Sequence, residues 1–226
     1  MAIVNFFTLK WGTKYGPEYV NRLYNSVKQN YKHSFVFTCI TDDTTGLQCN
    51  TASFRDYNIT RQKCFTAEKL FLFSNSIGHN ILLDLDTLIL DDITEYLYSY
   101  NFEEPRFIKN YWEDLDRCEL LATQANNYVN SSFVTWKDDQ LKWLYDHFID
   151  NKELIEYKYG DLDFYLFQVF RKKLGYHPKG IVNTYSEVED ISTCNYKMVL
   201  FNTSHGRGVE LHDATGYARE RWLSYS

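Results

Sequence analysis

The fold is decided by the stretch ILLDLDTLIL at residues 81–90, an apolar run that two aspartates and one threonine interrupt. Such a run predicts a buried β-strand. Because side chains alternate between the two faces of a strand, Asp84 and Asp86 are expected to project together while Leu85 turns into the core. Two aligned carboxylates suit a hard cation, since Mg²⁺ and Mn²⁺ bind one or two carboxylates and fill their other positions with water and phosphate oxygens. The alternative interpretation is that the two acids only mark the end of a buried strand.

The composition indicates one folded domain and excludes two broad classes of protein. At 226 residues the chain is long enough to bury a hydrophobic core, and no repeat or linker divides it, so we expect a single domain over residues 1–226. The aromatic content of 18% excludes a disordered or low-complexity chain. A net charge of −6 gives no basic field for a phosphate backbone, so we expect no nucleic-acid partner.

The cysteines and the amino terminus indicate the cellular compartment in which the protein is expected. Five cysteines are scattered without a Cys-x-x-Cys pair, which predicts reduced thiols and no zinc site. The first residues lack a basic leader and a cleavage site, and no apolar run approaches the ~20 residues of a membrane span. We therefore expect a cytoplasmic protein with no membrane span, in a bacterium or, for a viral protein, in the host cell.

Strands and helices alternate along the chain. Pro17 suits the first position of a helix, and Gly78 suits the end of a helix before the aspartate strand. Because strands separated by helices are usually parallel, the pattern predicts an α/β fold with a mostly parallel sheet. The predicted strands are 3–9, 35–40, 81–90, 132–136 and 198–201, and the predicted helices are 17–29, 67–76, 140–149 and 164–173.

Several segments, taken in order, resemble the motifs of one enzyme family. They are 8–15 with 19–24, 41–43, 69–73 (K-x-x-x-F), 83–86 (D-x-D), 130–136 (beginning N-S-S) and 160–161 (the G-D of a G-D-Q motif). The family is the GT-A glycosyltransferases, in particular the small bacterial and phage enzymes related to the glycogenin-like (family 8-like) group. The resemblance covers nearly the whole chain. It implies a single GT-A domain, which is Rossmann-like, binds nucleotide-diphospho-sugars and has a mostly parallel central sheet flanked by helices.

The resemblance also implies an activity and a set of site residues. It implies a metal-dependent glycosyltransferase, in which Mn²⁺ or Mg²⁺ bridges the phosphates of a nucleotide-sugar, expected to be a UDP-sugar, and the sugar moves to a glycan or another acceptor. Asp86 would hold the metal, and Asp84 would hold it directly or through water. The implied donor-binding residues are Thr8, Leu9, Lys10, Tyr15, Lys69, Asp84, Leu85, Gly206 and Arg207, and the implied catalytic residues on the acceptor side are Asn130, Asp161 and Asp163.

The third metal ligand has two candidates. The family commonly places a histidine after its last strand, followed by a basic, glycine-containing loop that holds the diphosphate. Without a gap, Asn202 falls at the position of this histidine, whereas a three-residue insertion brings His205 there with residues 206–207 following in register. We favour His205, although the carbonyl oxygen of an asparagine is also a normal ligand for these metals.

Some of these residues have simpler interpretations. The family's G-D-Q reads G-D-L at residues 160–162, so its amide is missing. Asp161 precedes an apolar helical run and could be a helix N-cap, and the same applies to Asp163. Lys69 could lie on the solvated face of its helix.

Two other functions compete with glycosyl transfer. Asp84 and Asp86 after an apolar strand also resemble the opening motif of the haloacid-dehalogenase phosphatases, but that motif has a glycine that is absent here and lies near the start of its fold. A domain that binds a nucleotide-sugar or a glycan without turnover is the non-enzymatic alternative. A phosphatase would cleave phosphate monoesters with Mg²⁺ alone, a transferase needs a sugar donor, and a binding module would do neither.

Overall fold

The computed structural model describes residues 3–201 and 209–226, so the predicted site residues Asn202, His205, Gly206 and Arg207 lie outside the described residues. The strands are β1 (Val4–Lys10), β2 (Phe35–Thr41), β3 (Asn50–Ala52), β4 (His79–Leu83), β5 (Thr87–Ile89), β6 (Arg106–Lys109), β7 (Val129–Lys137), β8 (Gly175–Tyr176), β9 (Val182–Thr184) and β10 (Met198–Leu200). The α-helices are α1 (Pro17–Asn30), α2 (Thr94–Tyr100), α3 (Leu115–Leu121), α4 (Lys142–Asp150), α5 (Lys152–Lys158), α6 (Leu162–Phe170) and α7 (Gly216–Leu223). Short 3₁₀ helices lie at Phe54–Tyr57, Ala67–Phe73, Tyr185–Glu187 and Leu211–Asp213.

The central sheet is mostly parallel, as predicted. Its strand order is β3-β2-β1-β4-β7-β6-β8, and among the described strands only β7 runs against its two neighbours. Since β1, β2 and β4 are parallel, they end at the same edge of the sheet, which we call the carboxyl edge. The antiparallel β7 begins at this edge, because Leu83 at the end of β4 pairs with Phe133 near the start of β7.

The first helix follows from its local sequence. Pro17 occupies the first turn of α1, Glu18 lies close to the positive end of the helix dipole, and Lys28 lies in the last turn. The side chains of Val20, Leu23 and Val27 are buried. This spacing of three and four residues places one apolar stripe of the helix against the sheet.

The hydrophobic core lies on both faces of the central sheet. Ile81 and Leu83 of β4 belong to one apolar cluster, together with the buried side of α1, and Leu82 belongs to a second cluster with Trp136. A strand that is buried on both faces reads as a continuous apolar run. The apolar run at residues 81–83 therefore reflects the central position of β4.

The predicted aspartate strand is broken by a turn. The strand β4 ends at Leu83, residues 84–86 turn with the Thr87 amide donating to the Asp84 carbonyl at 3.2 Å, and β5 then joins a second, three-stranded sheet of order β5-β10-β9. The prediction of one extended strand over 81–90 is therefore wrong. An apolar run cannot indicate that the chain leaves one sheet and enters another.

Other local predictions are confirmed or adjusted. The predicted helix at 67–76 is a 3₁₀ helix at Ala67–Phe73, and the sequence pattern did not predict β3, β6, β8, β9, α2, α3, α5 or α7. The five cysteines are free thiols, as predicted. Among the described residues no helix has the length and apolar character that a bilayer span requires.

Candidate functional site

The two aspartates lie together at the carboxyl edge, although in a turn. Both side chains are half-buried, and Leu85 between them is buried, as predicted. Burial, together with the nearby negative charge of Asp84, raises the pKa of Asp86 to about 7. The Tyr15 hydroxyl donates to Asp86 Oδ2 at 3.5 Å. The predicted pairing of the two carboxylates is thus present, and the turn produces it.

Lys69 is the cation that holds this turn. Its side chain is 4% exposed, so the interpretation of a solvated lysine is wrong. Its ammonium donates to Asp84 Oδ2 at 2.8 Å, to the Ser131 carbonyl at 3.2 Å and to Ser131 Oγ at 3.2 Å. All three donors of the ammonium are therefore engaged. Lys69 joins the 3₁₀ helix, the aspartate turn and the start of β7.

The start of β7 brings the acceptor-side candidates to the same place. Ser131 donates its backbone amide to Asp163 Oδ1 at 3.0 Å, and Asn130 Oδ1 accepts the amide of Ser132 at 2.8 Å. Burial raises the pKa of Asp163 to about 6, although Lys69 and the hydrogen bond from Ser131 oppose this shift. Asp84, Lys69, Ser131 and Asp163 therefore form one continuous charged network.

Asp161 caps the helix that carries Asp163. Its Oδ1 accepts the backbone amide of Phe164 at 2.7 Å, so the N-cap interpretation is confirmed. Its other carboxylate oxygen accepts a hydrogen bond from the side-chain amide of Gln124. The backbone of Phe65 pairs with this segment, donating to the Gly160 carbonyl at 3.0 Å and accepting from the Leu162 amide at 2.9 Å.

The end of β1 and the loop after it form another side of the site. Thr8 and Lys10 are buried, and Leu9 lies between them at the carboxyl edge. Tyr15 packs its ring on Tyr19, with ring centroids 4.7 Å apart, and burial together with the charge of Asp86 raises the pKa of Tyr15. The predicted nucleotide loop therefore adjoins the aspartate turn through Tyr15.

The carboxyl-terminal segment packs on this loop. The Tyr19 hydroxyl lies 2.5 Å from His212 Nδ1, and Lys14 forms an ion pair with Glu210 at 3.4 Å. Sequence reasoning did not find these contacts, nor those of Ser131 and Gln124. Each of them joins residues far apart in the chain, and no local pattern indicates such a pairing.

The chemistry of the aspartate turn suits a hard divalent cation. Two half-buried carboxylates supply the anionic oxygen ligands that Mg²⁺ and Mn²⁺ prefer. The described residues contain no cluster of three His, Cys, Asp or Glu side chains able to hold a metal ion. The backbone of Phe201, the last residue described before position 202, donates to the Asp86 carbonyl at 3.0 Å. Asn202 and His205 both stay predicted third ligands.

Comparison with known proteins identifies the fold. No protein-family model matches the sequence, and no curated protein matches it. Among solved structures, the chain is similar to the galactosyltransferase LgtC in complex with donor and acceptor sugar analogs, with a TM-score of 0.59 and 12% identity over 98% of this chain and 94% of LgtC. It is also similar to mouse xyloside xylosyltransferase 1, with a TM-score of 0.57 and 12% identity over 91% of this chain and 99% of that one.

A third similar structure is the glycosyltransferase GlyE of Streptococcus pneumoniae TIGR4, with a TM-score of 0.65 and 10% identity over 100% of this chain and 60% of GlyE. The chain therefore has the GT-A glycosyltransferase fold, as the sequence motifs predicted. At identities of 10–12%, these comparisons show the fold alone.

Proposed function

We propose that this protein is a metal-dependent glycosyltransferase that moves a sugar from a nucleotide-diphosphate sugar, expected to be a UDP-sugar, to an acceptor. The observation that carries the proposal is the pair of half-buried carboxylates, Asp84 and Asp86, at the carboxyl edge of a GT-A fold. Open α/β sheets bind their ligands outside the carboxyl ends of the strands. Lys69 already donates to one oxygen of Asp84 and to Ser131. Asp86 is therefore the acid that is more available to a further cation.

The proposed metal is Mn²⁺ or Mg²⁺, held by Asp86 and by Asp84 directly or through water. When bound, it would neutralise the charge that develops on the departing diphosphate. The chain's own residues prepare this place: Lys69 fixes one oxygen of Asp84, and Tyr15 donates toward Asp86. Asn202 or His205 is the proposed third ligand.

The donor and the acceptor are assigned to two groups of residues around the aspartate turn. The proposed donor side consists of Thr8, Leu9, Lys10, Tyr15, Leu85 and Lys69, joined by the sequence predictions Gly206 and Arg207. Lys69 acts there by orienting Asp84, because its three donors are engaged within the protein. On the proposed acceptor side, Asp163 and Asn130 are held by hydrogen bonds to the backbone at the start of β7, and Asp161 caps α6.

The test is thermal unfolding with UDP, GDP, ADP, CDP and TDP, each with and without Mn²⁺. A ligand present at ~100 times its Kd stabilises the folded state by about 2.7 kcal/mol, which in a chain of this size raises Tm by roughly 5–10 °C. We expect one nucleotide to produce this shift, and only with the metal. The absence of a metal-dependent shift with all five nucleotides would contradict the proposal.

A binding module without turnover is the second candidate. The observation that favours it is Leu162, a buried apolar residue at the position where the resembled motif has an amide. The two candidates differ in one measurement on the wild-type protein. A transferase releases the nucleoside diphosphate from its sugar donor over time when metal and acceptor are present, whereas a binding module leaves the donor intact.

A further inference from the structure

We propose that Phe65 is a stacking platform for a sugar ring of the acceptor, with Asp161 and Gln124 as its polar rim, so that the acceptor is a glycan that presents a pyranose. This inference rests on the proposed function, because it names the acceptor of the same site. It also has a binding test that does not depend on the donor, the metal or turnover.

Phe65 is an exposed aromatic residue on a fixed backbone. Its side chain is 56% exposed, while its backbone amide and carbonyl both pair with the segment that starts α6, at 3.0 Å to the Gly160 carbonyl and 2.9 Å from the Leu162 amide. Single exposed apolar residues are common and need no explanation. This one differs because both hydrogen-bonding groups of its backbone are paired with the segment at residues 160–162, so that little backbone ordering is required when a ligand binds.

The residue after Phe65 is strained. Thr66 has φ +63°, a left-handed conformation that is unusual for a β-branched residue and costs on the order of 1–3 kcal/mol. Strained backbone of this kind clusters at ligand-binding sites. Here it redirects the chain between Phe65 and the 3₁₀ helix Ala67–Phe73, which carries Lys69. The conformation of Thr66 therefore sets the backbone position of Phe65 relative to the helix that carries Lys69.

Polar groups border the ring on one side. Phe65 and Asp161 are partners in a parallel β-bridge, so their side chains project from the same face. The Asp161 carboxylate is itself oriented by the Phe164 amide and by the side chain of Gln124. A pyranose has an apolar face of C–H groups and a rim of hydroxyls, which are both donors and acceptors. An aromatic face beside a fixed carboxylate and an amide matches both parts of such a ring.

This rim is connected to the aspartate turn. Asp163, two residues after Asp161, accepts the amide of Ser131, and Ser131 in turn accepts from Lys69, which donates to Asp84. The charges of both Asp161 and Asp84 act on Asp163. A ring stacked on Phe65 therefore lies at the same edge of the sheet as the proposed donor and metal, as transfer between two sugars requires.

The test measures binding of simple sugars to the full chain. Methyl α- and β-pyranosides of glucose, galactose, mannose and xylose are each added without metal or nucleotide, and saturation-transfer NMR detects binding while chemical-shift titration gives the affinity. We expect at least one pyranoside to bind, with saturation concentrated on the C–H groups of one ring face. Phe65→Ala should weaken that affinity by at least ~10-fold, and Phe65→Trp should restore it.

The control is Tyr98→Ala, which removes another exposed aromatic side chain, at 66% exposure, from α2. It should leave the affinity unchanged. The proposal is overturned if no pyranoside of the panel binds the wild-type protein, or if Phe65→Ala binds the sugars as the wild type does. Metal-dependent nucleotide binding, measured separately on the same variants, should be unaffected by Phe65→Ala. A failure of the proposed function therefore appears in the nucleotide experiment and a failure of this inference in the sugar experiment.

Discussion

Lys69 and His177 are two buried basic side chains in different regions of the protein, and the groups around them differ. Lys69, at the carboxyl edge, donates to a carboxylate and to two oxygens of Ser131. His177 follows β8, where its ring stacks on Phe133 at 4.1 Å and its Nδ1 lies 2.6 Å from the Tyr96 hydroxyl. Burial and the charge of Arg106 lower the pKa of His177 to about 3.

The difference lies in the partners that each side chain meets. The described residues offer no hydrogen-bond partner to His177 Nε2, so the ring is kept neutral and serves packing. A buried cation is tolerated only where an anion and further acceptors surround it. Around Lys69 those acceptors belong to the candidate site. The charged network around Lys69 therefore distinguishes the candidate site from the region of His177.

The largest effect is expected from Asp86→Asn. The substitution keeps the shape of the side chain but removes an anionic ligand, so metal-dependent nucleotide affinity should fall by ~100-fold or more. Stability should not fall, because burial and Asp84 already raise the pKa of this carboxyl to about 7. Titration of nucleotide with and without Mn²⁺ measures the loss.

Asp91→Asn is the matched control for this experiment, since Asp91 is an exposed acid paired with Lys197. It should bind nucleotide and Mn²⁺ like the wild type. Unchanged Mn²⁺-dependent affinity in Asp86→Asn would remove the metal assignment.

Lys69→Met should lower both stability and metal affinity. The methionine fills the space but leaves Asp84 without its cation, which should reduce the free energy of unfolding by about 2 kcal/mol. Because Asp84 is then no longer oriented, Mn²⁺-dependent affinity should fall by ~10–100-fold. Denaturant unfolding and nucleotide titration measure the two effects.

The surface ion pair of Lys197 with Asp91 provides the control, and Lys197→Met should change stability by no more than about 0.5 kcal/mol. If Lys69→Met loses stability while Mn²⁺-dependent affinity is unchanged, the lysine has only a structural role.

His177→Phe should remove a pH dependence. The folded-state pKa of His177 lies below its unfolded value of about 6.5, so the unfolded chain binds the proton first and stability is lost as the pH falls. Between pH 7 and pH 5 this loss is about 2 kcal/mol in the wild type. The variant keeps an aromatic ring on Phe133 and should lack this component.

Denaturant unfolding at the two pH values gives the comparison, with His33→Phe as a control at a half-buried position. An equal loss between pH 7 and pH 5 in His177→Phe and in the wild type would show that His177 is not the titrating group.

Thr66→Gly is expected to have the smallest effect, a gain in stability of about 1 kcal/mol. Glycine adopts a φ of +63° without the steric cost that a β-branched residue has there, although it loses more backbone entropy on folding. Ala122, at φ +47° after α3, lacks the branch, so Ala122→Gly should gain less. Thermal unfolding measures both, and a loss of stability in Thr66→Gly would show that the conformation is not strained.

The sequence pattern predicted the strands and helices of this fold better than the turns between them. The strands at 35–40 and 132–136 and the helix at 17–29 were found because each has its own apolar pattern. The turn at residues 84–86 was missed because Leu88 and Ile89 continue the apolar run into a different sheet. Asp84 and Asp86 nevertheless lie together, since the turn produces the proximity that a strand would also have produced.

The candidate site was predictable only where it depends on local sequence. The apolar helix that follows Asp161 made an N-cap one of its two interpretations, beside a catalytic role, and the structure shows the cap. The burial of Lys69 could not be predicted, because its partner Ser131 is 62 residues away. The backbone pairing of Phe65 with Gly160 likewise joins residues that are far apart in the chain.

The direction of β7 also shows where residues or labels can be added to this protein. Because β7 starts at the carboxyl edge, the turn after it lies at the far edge of the sheet, where the Gly78 amide donates to Asp138 Oδ1 at 2.8 Å. Extra residues placed in this exposed turn would be about the length of a strand away from the aspartates. A fluorescent label or a surface tether attached there would report on the protein without approaching the candidate site.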